Sequence, residues 1–404
     1  GERVLGAAYL PVDGEATSID HDDLQGRVVF LGLAGINDPP REEAVNTIKA
    51  CRQAGIRVKM ITGDHPDTAA AIGKQLGIGK LGAIEGRMID RMSEEELMET
   101  VKNYDIFART SPENKLQIID ALQKNGETVS MTGDGVNDAP SLKKADIGVA
   151  MGIKGTEVSK DAAKMILADD NFSTIFNAVK EGRRVYDNLR KTILFLLPTN
   201  FCEAILIAGS ILLGFSVILT PVQILWINLI TSITISFGLL FEKLEKDALL
   251  RPPRPRHAPL LSKYYIFRIT YVSLIIGSVC IWQVFDLMQQ GLEPALIQTI
   301  VMNSIVFAEM FHLFNCRSEI DPAFSKGFFD NKVAFIVSGI CVVLQLVITY
   351  VPALNLTFGT VPMEGHHWLL PVLLGVSVLF IVELEKMVTR YMIQKGVVKR
   401  EYQM

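Results

Sequence analysis

The chain has 404 residues, a net charge of −4 and a mean hydropathy of +0.29, with 49% hydrophobic residues. This hydropathy is too high for an ordinary soluble protein and too low for a chain that lies wholly within a membrane. The acidic balance argues against nucleic acid as a partner. Five scattered cysteines, without Cys-x-x-Cys spacing, support neither a zinc site nor a disulfide framework.

Charged and apolar segments are separated along the chain. Residues 1–185 are charged and mixed, whereas residues 192–393 carry long apolar runs. The chain opens on Gly-Glu-Arg-Val, without an initiator methionine or a signal-peptide pattern. We therefore expect it to be the later part of a longer protein.

Short apolar runs and helical patterns alternate in the first half. The apolar runs are 27–36, 56–61, 106–108, 128–131 and 147–151, and the helical patterns are 42–53, 67–76, 94–102 and 113–124. This alternation predicts an α/β fold in which helices cover both faces of a parallel sheet. Ligands bind at the carboxyl ends of the strands in such sheets. The polar residues that we expect to converge there are Asp38, Thr62, Asp64, Arg109 and Asp134.

The segment Met-Thr-Gly-Asp-Gly-Val-Asn-Asp-Ala-Pro at 131–140 places Asp134, Asn137 and Asp138 at one strand end. Crowded carboxylates repel one another unless a cation holds them, and Mg²⁺ takes one or two carboxylates plus substrate phosphates. The pattern therefore favours a phosphoryl-transfer site, with a plain Asp/Gly/Asn turn as the alternative. Lys115, at the start of a predicted helix, is either a phosphate contact or a solvated surface lysine.

The second half contains six apolar runs of the length that spans a membrane. They are 192–213, 222–241, 266–288, 296–315, 333–351 and 368–388. Lys and Arg are absent from 192–242, 269–316 and 333–385 and return between these stretches. This distribution predicts an all-α domain of three membrane hairpins, with residues 1–191 and the C-terminus in the cytoplasm.

Polar residues inside the predicted spans suggest a cation pocket, because ionisable groups are costly in a membrane. Glu203 and Glu309 lie within spans, and Asn200 shares a helical face with Glu203. The second span carries Asn228, Thr231 and Ser232. Carboxylate, amide and hydroxyl oxygens suit a hard cation, although helix packing is an alternative role for the hydroxyl groups.

Four motifs resemble those of P-type cation-transporting ATPases of type II, which include calcium pumps and sodium/potassium pumps. They are Thr-Gly-Asp-Gly-Val-Asn-Asp-Ala-Pro (132–140), Thr-Gly-Asp (62–64), Asp-Pro-Pro-Arg (38–41) and Ala-Asp-Asp-Asn-Phe (168–172). The resemblance implies that 27–180 form a haloacid-dehalogenase-like phosphorylation domain after the end of a nucleotide-binding domain and hinge (1–26). It also implies a stalk at 181–191, six membrane helices within 192–393 and a cytoplasmic tail at 394–404.

The resemblance also implies roles for individual residues and partners for the chain. Asp134 would bind catalytic Mg²⁺, Asn137 and Asp138 would shape the phosphorylated site, and Lys115 would contact the transferred phosphate. Thr62, Gly63 and Asp64 would line the phosphate and nucleotide edge, with Asp38 and Arg109 on the nucleotide side of the hinge. The implied cation ligands are Asn200, Glu203, Asn228, Thr231, Ser232 and Glu309. The implied partners are ATP, the lipid bilayer, the transported cation and the rest of the pump, including its nucleotide-binding and actuator domains and first four membrane helices.

Two departures from the family pattern limit these expectations. The nucleophile motif Asp-Lys-Thr-Gly-Thr does not occur, so we expect this chain alone to be inactive. Ser232 stands where calcium and sodium/potassium pumps carry an Asp, which favours one divalent ion per cycle or a monovalent ion. We expect a Ca²⁺ pump of the plasma membrane, with a Na⁺ or K⁺ pump as the alternative. Two rivals are a haloacid-dehalogenase-like phosphatase fused to a non-pumping membrane domain and a passive channel with a regulatory domain.

Overall fold

The computed structural model describes residues 3–12, 14, 18–36, 39–215, 218–245, 247–256, 258–325 and 327–397, with the backbone alone at Arg3, Asp23, Ile36, Ser232 and Ile233. The chain divides into two compact units. One consists of Gly1–Val179 and Leu249–His257, and the other of Lys180–Ala248 and Ala258–Met404.

The first unit is an α/β assembly in which strands and helices alternate. Its strands are β1 (Arg3–Tyr9), β2 (Val29–Ile36), β3 (Met60–Ile61), β4 (Ala83–Glu85), β5 (Ile106–Ala108), β6 (Ser130–Gly133), β7 (Ile147–Met151) and β8 (Met165–Leu167). Its helices are α1 (Glu42–Gln53), α2 (Pro66–Leu76), α3 (Gly86–Ile89), α4 (Glu94–Asn103), α5 (Pro112–Lys124), α6 (Ala139–Lys144) and α7 (Glu157–Ala162).

Parallel pairing dominates this unit, as the sequence predicts, but the expectations of a single sheet and of a parallel strand at 27–36 need correction. β3, β5 and β4 form one three-stranded parallel sheet, and β6, β7 and β8 form another. The run at 27–36 was expected in the parallel sheet, and that expectation is wrong. β2 instead pairs antiparallel with β1, with Arg3 opposite Ile36 and Tyr9 opposite Val29. The segment at 3–9 supplies an antiparallel partner, so β2 forms a two-stranded sheet of its own.

Helix starts in this unit follow their capping residues. Ser93 accepts a hydrogen bond from the amide of Glu96, whose carboxylate accepts one from the amide of Ser93, so the predicted capping box of α4 is present. Ser111 and Asn114 form the same reciprocal pair at the start of α5. This second box fixes the start of the helix that carries Lys115.

The second unit is helical. It contains most of α8 (Phe172–Leu213), then α9 (Pro221–Ile230), α10 (Ser236–Leu240), α11 (Lys263–Gln289), α12 (Pro294–Cys316), α13 (Lys332–Tyr350), α14 (Pro352–Phe358) and α15 (Leu369–Gln394). In the part of the chain that the structure describes, five helices are long and apolar enough to cross a membrane, namely α8, α11, α12, α13 and the helix that ends at Gln394. The predicted stalk and first span belong to one helix, α8.

The remaining predicted span, 222–241, is not one α-helix. A π-helical turn at Thr231–Ile235 separates α9 from α10. The hydroxyl of Thr231 donates to the carbonyl of Ile227, and that of Thr234 donates to the carbonyl of Ile230. Such side-chain bonds compete with the backbone ladder, and π turns occur frequently at functional sites. The expectation of six uninterrupted helices is therefore corrected to five long helices and one broken segment.

α12 lies at the centre of the helical unit and packs closely against α15. Gly375 of α15 allows this approach, since a Cβ atom there would lie 2.9 Å from the carbonyl oxygen of Phe307. A contact between a side chain and backbone at that distance cannot be relieved by a change of rotamer. Gly339 of α13, by contrast, has no atom within 4 Å of an added Cβ.

These two glycines give a matched test of the packing. We expect Gly375→Ala to lower the stability of the chain in detergent by about 1–3 kcal/mol, because overpacking forces the helices apart. Gly339→Ala should leave the melting temperature unchanged or raise it, since alanine favours a helix. Thermal unfolding followed by circular dichroism checks both. Equal melting temperatures for the two variants would contradict the close α12–α15 packing.

The segment at 249–256 packs on the α/β assembly of the same unit. A guanidinium nitrogen of Arg256 lies 2.9 Å from Oδ1 of Asp146, and Pro252 and Pro253 lie against Gly55. Burial alone would raise the pKa of Asp146. Hydrogen bonds from the Val129 amide and Gln123, together with the nearby positive charges, outweigh burial and hold the pKa below its ordinary value.

This lowered pKa makes a pH-dependent contribution to stability. The contribution is complete above the pKa of Asp146 in the unfolded chain and is lost as pH falls through the lower pKa of the folded state. We expect Asp146→Asn to destabilise the α/β unit at neutral pH and to flatten its loss of stability in acid. Urea unfolding between neutral pH and about pH 3 checks this. An unchanged acid dependence in the variant would contradict the assignment.

Candidate functional site

The first candidate site is the corner that follows β6, where a lysine and a buried aspartate form an ion pair. Nζ of Lys115 lies 2.6 Å from Oδ1 of Asp138, a residue that is only 8% exposed. Oδ2 of Asp138 accepts hydrogen bonds from the amides of Asp134 and Gly135 at 3.3 and 3.2 Å. Gly133 is required here, because a Cβ atom would lie 2.6 Å from that of Asp138.

Asp134 is held by its backbone, while its side chain remains exposed. Its carbonyl oxygen accepts hydrogen bonds from the amide of Thr156 at 2.9 Å and from the hydroxyl of Ser159 at 3.2 Å. In the described part of the chain no group hydrogen-bonds or pairs with its carboxylate. Asn137 is also exposed, in a 3-10 turn at Val136–Asp138. The backbone of the corner is thus fixed, and its carboxylate is available to a ligand.

This donor set fits Mg²⁺ better than a metal that needs several protein ligands. Within the described ranges no group of three or more His, Cys, Asp or Glu side chains is placed to hold a metal ion. Mg²⁺ keeps several waters and is commonly bound through one or two carboxylates plus substrate phosphates. The free carboxylate of Asp134, beside the Lys115–Asp138 pair, meets that requirement.

A second polar corner joins the ends of β3 and β5. The hydroxyl of Thr62 donates to Asp64 at 2.9 Å, and the amide of Thr110 donates to the carbonyl of Thr62 at 3.2 Å. Arg109 donates its amide to the carbonyl of Asp64 at 3.1 Å and has a left-handed backbone with φ of 46°. An added Cβ at Gly63 would meet nothing within 4 Å, so this corner is open.

The structure brings some predicted residues together and leaves others apart. Thr62, Asp64 and Arg109 converge, as do Asp134, Asp138 and Lys115. Among described residues, no hydrogen bond joins these two groups to each other. Asp38 lies outside the described residues. Thr156 and Ser159 were not predicted from the sequence. A signal was present, because Thr156 is a preferred N-cap residue and accepts a hydrogen bond from the amide of Ser159 at the start of α7.

The second candidate site lies among the apolar helices. Asn228 of α9 donates to Oε2 of Glu203, a residue of α8 that is 7% exposed, over 2.8 Å. Glu309 of α12 is 1% exposed and lies near Glu203 and Thr231. Oε1 of Glu203 and Oε2 of Glu309 are buried without a partner among the described residues. Two buried carboxylates with unpaired oxygens require a positive charge or a proton.

Two further predicted ligands are placed differently. Asn200 is exposed, and its amide donates to the carbonyl of Leu196 at 2.8 Å, so no hydrogen bond joins it to Glu203 in the described structure. The side chain of Ser232 lies outside the described residues, although its backbone belongs to the π turn. The pocket that the structure shows is therefore formed by Glu203, Asn228, Thr231 and Glu309.

Comparison with known proteins shows which families the two parts of the chain resemble. Residues 216–388 match the family described as cation transporting ATPase, C-terminus, and residues 7–146 match the family of haloacid dehalogenase-like hydrolases. The chain is 42% identical over 378 residues to the cation-transporting ATPase pma1 of Synechocystis, covering 91% of this chain and 42% of that protein. It is 41% identical over 374 residues to a calcium-transporting ATPase of Bacillus subtilis, covering 91% and 42%. It is 38% identical over 407 residues to calcium-transporting ATPase 1 of Schizosaccharomyces pombe, covering 98% and 44%.

Over at least 91% of its length the chain is homologous to P-type cation-transporting ATPases. The haloacid-dehalogenase-like domain followed by a helical membrane domain, expected from the sequence, is confirmed. The chain spans less than half the length of the curated relatives described above.

Proposed function

We propose that this chain is the phosphorylation and membrane part of an ATP-driven cation pump. The observation that carries the proposal is the pair of buried carboxylates, Glu203 and Glu309, with unpaired oxygens among apolar helices. Burying such groups without a use is costly, and intramembrane carboxylates mark ion pathways. The same chain carries a phosphoryl-transfer corner at Lys115, Asp134 and Asp138.

The cytoplasmic corner supplies charge and orientation to phosphoryl transfer. Lys115 presents an ammonium group that stabilises the charge of the transferred phosphoryl group, and Asp138 holds that lysine in place. Asp134 and Asn137 shape the exposed edge, and Asp134 is the ligand for Mg²⁺. When bound, Mg²⁺ neutralises charge that develops on the phosphate oxygens. Thr62, Gly63 and Asp64 line the phosphate edge, with Asp38 and Arg109 toward the nucleotide.

The aspartyl nucleophile belongs to the Asp-Lys-Thr-Gly-Thr motif of such pumps, which these 404 residues do not contain. We therefore assign the nucleophile, the nucleotide-binding and actuator domains and the first four membrane helices to the partner segments of the complete pump. ATP is the substrate. Phosphorylation forms the aspartyl-phosphate bond and releases ADP, and water later cleaves that bond.

We propose Ca²⁺ as the transported ion. Two carboxylates, the amide of Asn228 and the hydroxyl of Thr231 offer oxygen ligands of the kind that Ca²⁺ prefers, and Asn200 and Ser232 stay further proposed ligands. Two of the relatives described above are named as calcium-transporting. Ser232 contributes no charge, and this favours a single divalent ion per cycle. The same lack of a third carboxylate makes Na⁺ or K⁺ the second candidate.

We propose the plasma membrane as the location, with residues 1–191 and the C-terminus in the cytoplasm. The support is the distribution of Lys and Arg, which are absent from 192–242, 269–316 and 333–385 and flank each of these stretches.

ATP hydrolysis and ion uptake by the complete pump in vesicles, measured with Ca²⁺, Mn²⁺, Na⁺ or K⁺, test the proposal. We expect Ca²⁺ to stimulate hydrolysis and to accumulate in an ATP-dependent manner. Stimulation by Na⁺ or K⁺ alone would select the monovalent alternative. Hydrolysis that no cation affects would favour a phosphatase fused to a non-pumping membrane domain, and ion flux without ATP would favour a channel.

A further inference from the structure

A second group of buried polar side chains lies between α12 and α13, away from the cation pocket. Asn303 and Gln345 are both fully buried. Nδ2 of Asn303 donates to the carbonyl of Thr299 at 2.9 Å and to the hydroxyl of Thr349 at 3.3 Å, and lies 3.5 Å from the sulfur of Met363. Gln345 stands one helical turn before Thr349 on the same face of α13.

Three polar atoms of this group have no hydrogen-bond partner in the described structure. They are Oδ1 of Asn303 and both Oε1 and Nε2 of Gln345. Leaving such atoms dry is costly, because they lose the hydrogen bonds that they make to water in the unfolded chain. Buried polar atoms that no protein group satisfies are usually hydrogen-bonded to internal water.

The mixture of donors and acceptors identifies the ligand as water rather than a cation. A cation is bound by oxygen acceptors and would leave the N–H groups of Gln345 without an acceptor. Water both donates and accepts, so it can satisfy Oδ1 of Asn303 together with both ends of the Gln345 amide. If the oxygen and nitrogen positions of that amide are exchanged, it still presents one acceptor oxygen and one donor nitrogen.

The group lies beneath the loop that connects α13 to α15. The amide of Val361 donates to the hydroxyl of Thr299 at 3.0 Å, and the hydroxyl of Tyr350 donates to the carbonyl of Met363 at 2.8 Å. Toward the cation pocket, Glu309 stands six residues after Asn303 on α12, about 9 Å along the helix axis. The polar group therefore lies between the loop and the level of Glu309.

We propose that Asn303, Gln345 and Thr349 line a water-filled chamber under the 351–368 loop. Its water supplies hydration to the cation as it leaves the Glu203–Glu309 pocket. The presence of water does not depend on the proposed function, whereas its role in cation release rests on it.

Radiolytic hydroxyl-radical labelling of the wild-type chain in nanodiscs tests for the water, because buried methionines next to water become oxidised. Met363 is 4% exposed and contacts Asn303, whereas Met302 and Met310 of α12 are 0% and 8% exposed. We expect Met363 to be oxidised several-fold faster than both control methionines. Equal protection of all three would show that the chamber is dry and would overturn the proposal.

Gln345→Leu provides the second measurement, with Val343→Leu on the exposed face of α13 as its matched control. We expect Gln345→Leu alone to bring the oxidation rate of Met363 down toward that of Met310. If the rate did not change in folded Gln345→Leu, the radicals would be reaching Met363 from bulk solvent, and the chamber would be excluded. A variant that fails to fold leaves the wild-type comparison to decide.

In the complete pump, Gln345→Leu should slow cation release several-fold while leaving the cation concentration for half-maximal phosphorylation unchanged. Unchanged release kinetics would overturn the role in release and leave the labelling result standing. A wild-type pump that no cation activates would instead overturn the proposed function itself.

Discussion

Replacing Asp134 by alanine is expected to abolish cation-stimulated ATP hydrolysis and phosphoenzyme formation in the complete pump. The variant removes an exposed carboxylate beside the Lys115–Asp138 pair, and with it the proposed ligand of Mg²⁺. Losing a preorganised electrostatic contact to a transferring phosphoryl group costs at least about 100-fold in rate. Acid-stable incorporation of phosphate from labelled ATP measures the loss directly.

The matched control for this variant is Glu157→Gln, which neutralises another exposed carboxylate, on the nearby helix α7. Within the described part of the chain the Glu157 carboxylate pairs with Lys160 alone, on its own helix, so we expect its neutralisation to leave phosphorylation intact. Phosphoenzyme at the wild-type level in Asp134→Ala would rule out the phosphoryl-transfer assignment of this corner. Failure of both variants would indicate a general loss of folding, which thermal unfolding detects.

Glu203→Gln is expected to raise the Ca²⁺ concentration for half-maximal activation by about tenfold or more, since cation affinity follows the number of charged ligands. Glutamine keeps the size of the side chain and an oxygen that accepts the hydrogen bond from Asn228. The change therefore removes charge with little effect on packing. Glu309→Gln should act in the same direction, because Glu309 is the other buried carboxylate of the pocket. Ca²⁺-dependent phosphorylation across a concentration series measures both shifts.

The control for the pocket is Asp286→Asn, a carboxylate of α11 that pairs with Gln290 one turn away. It should leave activation by Ca²⁺ unchanged. If Glu203→Gln and Asp286→Asn had the same activation curve as the wild type, the assigned pocket would be wrong. If Na⁺ or K⁺ activation shifted instead of Ca²⁺ activation, the monovalent alternative would be supported.

Local sequence patterns predicted much of the fold. Alternation of apolar runs and helical patterns in the first half predicted parallel strands, and the capping box at Ser93 was read directly from four residues. The β1–β2 hairpin was missed because its two strands lie about twenty residues apart and their pairing depends on long-range contacts. β4 and β8, of three residues each, were not predicted, although the equally short β5 was. Three residues are too few for an alternating pattern to decide.

The sequence predicted which residues belong to the candidate sites better than it predicted how their side chains are placed. The cluster at 131–140 indicated that Asp134 and Asp138 belong to one site, but it did not separate their roles. In the structure Asp138 is buried against Lys115, which lies 23 residues earlier, and Asp134 remains free. In the membrane half, spacing placed Asn200 and Glu203 on one face, yet Asn200 is exposed and Glu203 is buried. Such differences depend on neighbouring helices, which spacing within one helix does not reveal.

The π turn at Thr231–Ile235 sets the helical register of the segment after Asn228. A π turn contains one residue more than an α turn, and each residue of an α-helix rotates the chain by about 100°. If the π turn changed to α-helical hydrogen bonding, α10 would rotate about its axis, while α9 and its contact to Glu203 would stay in place. A one-residue change of hydrogen bonding could thus exchange which backbone and hydroxyl oxygens face the two carboxylates, without moving either glutamate.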